Sequence, residues 1–249
     1  MKFVVLGSGT GLSDPERGPA GFLVAMGDRQ WLIDGGSGTL QRCARAGYRP
    51  ESLTGGIYSH RHPDHCADLV PLLFAMRIDG REAPYPIWAA EGFADYVTAL
   101  QGIYGRWMTP NGGLTVHEVA VDEVRRVQLD PELTLVTAPA NHSAGALHLR
   151  FESPRGTVVF SGDTGPSDQL TELARGADLL VCECGGSDED PLPGHLHPAA
   201  IASLAREAQP KQIWLTHFYP AVDAAHAVAT VAATGVATRR AADGDTWVP

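Results

Sequence analysis

One short segment of the sequence holds four side chains of types that commonly bind metal ions. Three histidines and one aspartate lie within six residues: His60, His62, Asp64 and His65. The apolar run Gly56–Tyr58 before the segment predicts a buried strand, and the residues after it predict a helix from Asp64 to about Ile78. His60 and His62 occupy alternate positions of an extended segment, so both side chains can bind one ion, while Asp64 and His65 can face a second. Burying these polar groups without a shared ion would be costly.

The hypothesis of a metal site requires further ligands, since two histidines leave an ion incompletely coordinated. Loops at the ends of later strands are where such ligands are expected. Three polar residues follow predicted strands there: His142, Asp163 and His217. Taken singly, they are explained at least as well as a surface histidine, a turn-forming aspartate beside glycine and a helix-capping histidine. Taken together, they complete two metal sites.

The apolar pattern predicts many short strands and a smaller number of helices. Predicted strands cover residues 2–6, 21–26, 30–33, 56–58, 115–120, 123–128, 133–137, 146–151, 157–160, 179–182 and 212–215. Predicted helices cover 64–78, 91–103, 198–208 and 221–233, and another begins near Thr39. The strands from 115 to 160 are interpreted as an antiparallel second sheet. The pattern indicates an α/β (α+β) fold of two sheets, each covered by helices on one face, in a single domain over residues 1–249.

Composition restricts the partners of the chain. The formal net charge is −10, and no run of Lys or Arg resembles a nucleic-acid-binding stripe, so the sequence argues against long nucleic acid as a partner. No apolar segment reaches the length needed to span a bilayer, and the first apolar run is too short for a secretory signal. We therefore expect a cytoplasmic protein with no membrane partner, in which the four cysteines are reduced thiols.

In its histidine and aspartate residues the chain resembles the metallo-β-lactamase superfamily. The resemblance covers nearly the whole chain and includes Leu6–Gly11, Leu32–Gly36, the His-rich segment, Ser161–Thr164 and Leu215–His217. It implies a four-layer αββα sandwich with a two-metal site along one edge. It also implies two sets of ligands and one bridging residue, namely His60, His62 and His142 on one ion, Asp64, His65 and His217 on the other, and Asp163 between them.

Within the superfamily the chain is most similar to the ribonuclease Z-like phosphodiesterases. The segment 177–183 ends in Glu183 and is followed by Gly194–Pro198, and relatives place a paired Glu and His at the positions of Glu183 and His195. A carboxylate bound to one ring nitrogen keeps the imidazole of His195 protonated and oriented, so the ring can stabilise phosphoryl charge or protonate a leaving alkoxide. The alternative is a surface histidine near the start of a helix. His197, where relatives usually carry threonine, is interpreted as a helix cap.

The resemblance implies hydrolysis at two divalent metal ions. We expect zinc, with manganese or iron as alternatives that suit the same His and Asp ligands. A water shared by two cations gives a hydroxide at neutral pH, which Asp64 can orient. Members of the branch that process transfer RNA carry a long arm between the positions of His142 and Asp163, where this chain has only a short hairpin. Together with the acidic charge, the missing arm favours a small or cyclic phosphodiester as the substrate over a folded RNA.

Three alternatives stay open at this point. A tRNA 3′-processing endonuclease would need an arm elsewhere, for example in residues 103–113; otherwise that segment is expected to shape the mouth of the site or a homodimer contact. Hydrolysis of lactones, thioesters or sulfate esters is compatible with the same ions. A metal-bearing binding protein would be expected to have lost ligands, whereas every ligand position is filled here.

Overall fold

The computed structural model describes residues 1–249, and the chain forms two compact units. The N-terminal unit comprises Lys2–Ala120 and Asp243–Val248 and contains a seven-stranded sheet. In the sheet order β14-β1-β2-β3-β4-β5-β6, neighbours are antiparallel as far as β3 and parallel from β3 to β6. These strands are β1 (Lys2–Gly7), β2 (Gly21–Met26), β3 (Arg29–Ile33), β4 (Gly55–Tyr58), β5 (Tyr85–Ala90), β6 (Leu114–Val119) and β14 (Thr246–Trp247).

Helices of the N-terminal unit cover one face of its sheet. They are α1 (Thr39–Arg45), α2 (Pro63–Cys66), α3 (Leu69–Ile78) and α4 (Phe93–Tyr104), with 3₁₀ turns at Pro50–Ser52 and Gly105–Met108. Cross-strand register places Val4, Leu23 and Leu32 side by side on that face. They form one buried cluster with helix residues such as Leu73. Burial of each such side chain contributes about 1.5–3 kcal/mol, so this cluster fixes the helices on the strands.

The C-terminal unit comprises Val121–Ala242 with Met1 and Pro249, and it contains a second seven-stranded sheet. In the order β13-β12-β11-β10-β9-β8-β7, neighbours are parallel from β13 to β10 and antiparallel from β10 to β7. These strands are β7 (Arg125–Asp130), β8 (Leu133–Pro139), β9 (Leu147–Ser153), β10 (Gly156–Phe160), β11 (Leu179–Glu183), β12 (Gln212–Thr216) and β13 (Ala237–Arg240). The helices α5 (Asp168–Ala174), α6 (Pro198–Ala208) and α7 (Ala224–Ala232) pack on strand residues such as Leu180 and Ile213.

Each sheet gathers the ends of several strands at one edge. In the N-terminal unit β3 and β4 are parallel, so residues that follow Ile33 and Tyr58 come close together. In the C-terminal unit β10, β11 and β12 are parallel, and β8 runs in the same direction because it is separated from β10 by one antiparallel strand. In open α/β sheets, ligands bind beyond the carboxyl ends of parallel strands.

Most predicted strands and helices are confirmed, but two interpretations were wrong and several elements were not predicted. The predicted helix from Asp64 to Ile78 is two helices, since the Asp68 N–H donates to the Gly35 carbonyl (2.8 Å) and interrupts the helical hydrogen bonds. The strand near Thr115 belongs to the first sheet as β6, parallel to β5, and not to the antiparallel second sheet. Strands β5, β13 and β14 and helix α5 were not predicted, and Pro86 within β5 is unusual for an internal strand.

None of the helices combines the length and apolar composition that crossing a bilayer requires. The assignment of residues 1–249 to a single domain stays a prediction.

Candidate metal centre

His60 and His62 lie on the connection between β4 and α2 in the N-terminal unit. His62 has extended backbone angles (φ −64°, ψ 146°), and Pro63 occupies the first turn of α2, where its missing N–H leaves no hydrogen bond unmade. The extended stretch turns both rings toward each other, with His60 Nε2 3.0 Å from His62 Nδ1. Ligand atoms about 2.0–2.1 Å from a tetrahedral zinc ion lie roughly 3.3 Å apart. The spacing of these two nitrogens therefore fits two ligands of one ion.

Asp34 follows β3 and orients the other part of the His-rich segment. It is fully buried and has a left-handed backbone angle (φ +52°), which is uncommon outside glycine. Its carboxylate accepts hydrogen bonds from the Ser59 N–H and Oγ–H and from the Nδ1–H of His65, all at 2.7 Å. With Nδ1 protonated, the Nε2 of His65 carries the lone pair and lies 3.8 Å from Asp64 Oδ2. A carboxylate behind a ligand imidazole fixes its tautomer and orientation.

The C-terminal unit brings the three later candidates together. His142 follows β8, Asp163 follows β10 and His217 follows β12. His217 Nε2 lies 3.3 Å from Asp163 Oδ2, and His142 Nε2 lies 4.0 Å from the same oxygen. His217 is buried and has a left-handed φ of +56°. Backbone strain of this kind clusters at functional sites because the surrounding structure must sustain it.

His142 is oriented from behind by the main chain. Its Nδ1 lies 2.8 Å from the Gly194 carbonyl oxygen. A carbonyl can only accept, so Nδ1 carries the proton and Nε2, on the side of Asp163, carries the lone pair. Histidines that bind metals usually donate their second N–H to a carboxylate or a carbonyl. His65 and His142 therefore each show the arrangement that metal binding requires.

Glu183 and His195 form a buried pair in the C-terminal unit. Glu183 Oε1 accepts hydrogen bonds from His195 Nδ1 (3.0 Å), the Thr164 N–H (2.9 Å) and the Leu196 N–H (3.2 Å). Oε2 accepts from the Gly185 N–H (2.7 Å). Burial raises the pKa of Glu183 above its ordinary value, and the hydrogen bond from His195 opposes this rise. Because Nδ1 of His195 binds Glu183, a reacting group would meet the ring at Nε2.

His195 lies beside the candidate ligands of its unit. Its ring stacks on that of His217 (centroids 5.7 Å apart, planes at 12°) and meets the ring of His142 edge to face at 5.0 Å. Ligand atoms of Asp163, His195 and His217 all lie within 4.8 Å of one another. A proton donor on His195 would therefore act close to any ion that Asp163 and His217 hold.

Three further polar residues, Asp34, His148 and Asp188, make hydrogen bonds in or beside segments that carry candidate residues and were not named as candidates from the sequence. Asp34 has been described. His148 on β9 is fully buried, and burial lowers its pKa to about 4. Asp188 accepts from His197 Nδ1 (2.6 Å) and from the Ala199 N–H (2.8 Å). His197 thus occupies the N-cap position of α6, but Asp188 supplies the capping bond. Asp34 lies in the segment Leu32–Gly36 that carries the resemblance, but the sequence gives no direct signal for the partners of His148 and Asp188, because only tertiary structure brings those partners together.

The donor atoms of both units suit a divalent metal ion. The N-terminal unit offers the imidazoles of His60, His62 and His65 with the carboxylate of Asp64, and the C-terminal unit offers two imidazoles and the carboxylate of Asp163. Imidazole nitrogen and carboxylate oxygen are the ordinary ligands of zinc in catalytic sites and also suit manganese and iron. The residues therefore fit the metal-binding role that the sequence predicts.

Comparison with known proteins supplies the family. The family model described as "Beta-lactamase superfamily domain" matches residues 29–218. Ribonuclease Z of Mycobacterium bovis (strain BCG / Pasteur 1173P2) is 29% identical over 247 residues, covering 89% of this chain and 87% of the relative. Among solved structures, the metallo-beta-lactamase fold protein YhfI from Bacillus subtilis has a TM-score of 0.85 and 25% identity, covering 100% of this chain and 99% of that chain. A diphosphatase from the PhnP family has a TM-score of 0.74 and 21% identity, covering 99% and 96%.

These matches confirm the α/β fold of the metallo-β-lactamase type that the sequence predicts, with two mixed sheets flanked by helices. They also confirm the resemblance to ribonuclease Z. Because the family model matches residues 29–218, which are most of this chain, the chain belongs to the β-lactamase superfamily.

Proposed function

We propose that this chain is a hydrolase that uses two divalent metal ions, with zinc as the expected metal, to cleave a small or cyclic phosphodiester. The proposed ligand sets are His60, His62 and His142 for one ion, Asp64, His65 and His217 for the other, and Asp163 as the bridge. The observation that carries the proposal is the orientation of the ligand rings, because Nδ1 of His65 donates to the buried Asp34 carboxylate and Nδ1 of His142 donates to the partly buried Gly194 carbonyl. Relatives named ribonuclease Z support a hydrolase acting on phosphoester bonds.

Two bound ions would supply positive charge to the phosphate oxygens and lower the pKa of the attacking water. The protein's own groups then orient the reactants. Asp64 is half-buried next to His65. We assign it the role of accepting a hydrogen bond from the attacking water. Its carboxylate directs a lone pair of the water oxygen at phosphorus.

His195 is the proposed proton donor. Glu183 binds Nδ1, so the proton that leaves comes from Nε2. The attacking water loses one proton to solvent and bonds to phosphorus as hydroxide, the bond from phosphorus to the leaving oxygen breaks, and the His195 proton passes to that oxygen. Positioned acids of this kind contribute about 10²–10⁴-fold to turnover. The negative charge of Glu183 stabilises the imidazolium before the transfer.

The hairpin between His142 and Asp163 supports a small substrate. Between His142 and Asp163 the chain contains β9, β10, the turn at Pro154–Arg155 and two short connections of four and two residues. Ser153 closes the turn by donating to the Gly156 carbonyl (3.1 Å). A tRNA-binding arm has no room in this turn. The net charge of −10 also disfavours a long polyanion. One structural neighbour is named a diphosphatase, which is in keeping with a small phosphorylated substrate.

Cleavage of transfer RNA precursors is the second candidate function, favoured by the relatives named ribonuclease Z along 89% of this chain. Lactones, thioesters and sulfate esters are a third class, since a water activated between two ions attacks any suitable electrophile.

The first experiment measures metal content by mass spectrometry and assays bis(p-nitrophenyl) phosphate, a lactone, a thioester and a tRNA precursor side by side. Two metal equivalents and phosphodiester cleavage that chelation abolishes and metal restores are expected. Preference for the tRNA precursor would favour the second function, and preference for the lactone or thioester the third. A protein without metal would overturn the proposal.

Variants assign the roles. His62→Ala should lose metal and activity together, because a ligand is removed. His195→Ala should keep both metals while turnover falls by roughly a hundredfold or more. The matched control is His226→Ala, because His226 is exposed on α7 and should leave metal content and turnover unchanged. Retention of two metals by His62→Ala, or full turnover by His195→Ala, would contradict the respective assignment.

A further inference from the structure

The loop between β11 and α6, residues 184–197, contacts two functional groups within a few residues. Its Gly194 carbonyl accepts the Nδ1–H of His142 (2.8 Å), and the next residue is His195. We propose that Gly194 is a positioning residue that sets the ring of the metal ligand His142 and the ring of the proton donor His195 relative to each other. The inference rests on the proposed function, since it takes His142 as a ligand.

The backbone of Gly194 is suited to this role in a way that other residues are not. Its φ is +78°, in the left-handed region that side chains with a Cβ adopt with difficulty. A Cβ built on Gly194 would lie 3.0 Å from His142 Nδ1. That distance is shorter than an ordinary van der Waals contact, so the His142 ring would have to move by a few tenths of an ångström. Glycine at this position thus permits both the carbonyl direction and the close approach of the ligand ring.

The other side of Gly194 is equally constrained. His195 Nδ1 and the Leu196 N–H both bond to Glu183 Oε1, and the His195 N–H donates to the Leu192 carbonyl (3.0 Å). The rings of His142 and His195 meet edge to face with centroids 5.0 Å apart. Gly194 is therefore held between a ligand ring and a fixed proton donor, and a shift of either ring moves the peptide that supports the other.

The base of the loop is closed independently. Asp188 Oδ1 binds His197 Nδ1 (2.6 Å) and caps α6 through the Ala199 N–H (2.8 Å), and the Gly186 N–H donates to the Leu196 carbonyl (2.8 Å). These bonds hold the two ends of the loop together. Because the ends are fixed, a displacement of the Gly194 backbone moves the rings of His142 and His195 and is not absorbed by the rest of the loop.

The test compares Gly194→Ala with Gly176→Ala. Gly176 also has a positive φ (+64°), is exposed after α5, and would place its Cβ with no atom within 4 Å. Gly176→Ala thus carries the backbone strain alone. Metal affinity is measured by competition with a chelator and by the absorption spectrum of the cobalt-substituted protein, and histidine tautomers in the metal-free protein by ¹⁵N NMR.

We expect Gly194→Ala to lower the affinity for one of the two metal ions by about tenfold or more. This is the range seen when a residue that hydrogen-bonds to a metal ligand is disturbed. The cobalt spectrum and the Nδ1–H tautomer of His142 should change, and kcat should fall more than KM rises. Gly176→Ala should leave all of these as in the wild type. Equal metal affinity and an unchanged His142 tautomer in both variants would overturn the inference.

Two further measurements keep the outcome interpretable. If Gly194→Ala fails to fold, Gly194→Asn replaces it, because asparagine tolerates the left-handed region but still places a Cβ against His142. The same reduced affinity is expected there, and wild-type affinity would count against the inference. A wild-type protein that binds no metal defeats the proposed function, whereas a wild-type protein with two metals and an unaffected Gly194→Ala defeats only the role of Gly194.

Discussion

The protonation of His148 is coupled to folding. Its ring is fully buried on β9, with Nδ1–H donating to the Ser161 carbonyl (2.6 Å) and Nε2 accepting from the Ser167 hydroxyl (3.1 Å). Both nitrogens are therefore satisfied in the neutral ring. Burial lowers the pKa of His148 from 6.5 to about 4. We predict that acid destabilises the protein through this residue and that His148→Gln removes the effect.

The sign and size of the change in the free energy of unfolding follow from the pKa of His148 in the unfolded chain and in the folded chain. Above pH 6.5 the ring is neutral in the folded and the unfolded chain, so it adds no pH dependence. As the pH falls below 6.5, the unfolded chain binds a proton first, and the folded chain follows only near pH 4, so the free energy of unfolding decreases between these values. At pH 5 the decrease relative to pH 8 is about 2 kcal/mol.

Urea denaturation of metal-free protein, followed by circular dichroism at pH 8 and pH 5, measures this contribution. Metal-free protein is used because protonation of ligands would otherwise release metal. Between pH 8 and pH 5, the wild type should lose about 2 kcal/mol more stability than His148→Gln. Exposed His226 provides the control, since His226→Gln should keep the wild-type pH dependence. The same pH dependence in His148→Gln and the wild type would refute the reasoning.

Three other substitutions have expected outcomes. Asp34→Asn removes the carboxylate behind His65, so the affinity for one metal should fall by about 10–100-fold in a chelator competition, and an unchanged affinity would remove Asp34 from the site. Asp68→Ala removes the acceptor of two N–H groups at the start of α1 and should cost about 1–2 kcal/mol in urea denaturation, with exposed Asp28→Ala as a control near zero. Ser167→Ala removes the N-cap of α5 and the hydrogen bond to the buried Nε2 of His148, so it should cost about 2 kcal/mol or more, and a loss no larger than that of Asp28→Ala would argue against both contacts.

The sequence predicted the parts of the fold that depend on local pattern. Short apolar runs bounded by glycine and aspartate became strands such as β2 and β4, and Pro198 marked the first turn of α6. The candidate ligands were found for the same reason, since each follows a recognisable strand end. That they bind metal remains a prediction.

Elements whose conformation depends on tertiary contacts escaped prediction. Strand β5 contains Pro86 and is nonetheless internal, with β4 on one side and β6 on the other. The break before α3 depends on a hydrogen bond from Asp68 to Gly35, a residue distant in the chain. The Gly194 carbonyl bonded to His142 belongs to the same class, because a main-chain acceptor carries no residue type that a motif could record.

The topology of each unit explains why the chemistry lies on loops. In both units an antiparallel meander comes first in the chain, and strands added through helices then extend the sheet in parallel. Helices must return the chain to the same starting edge, so every added strand ends at the opposite edge. Those ends hold Asp34 and His60 in one unit and Asp163, Glu183 and His217 in the other. Loops at that edge, such as the loop that carries Gly194, can vary in length without disturbing the sheet, whereas a change within the strands would disrupt the core.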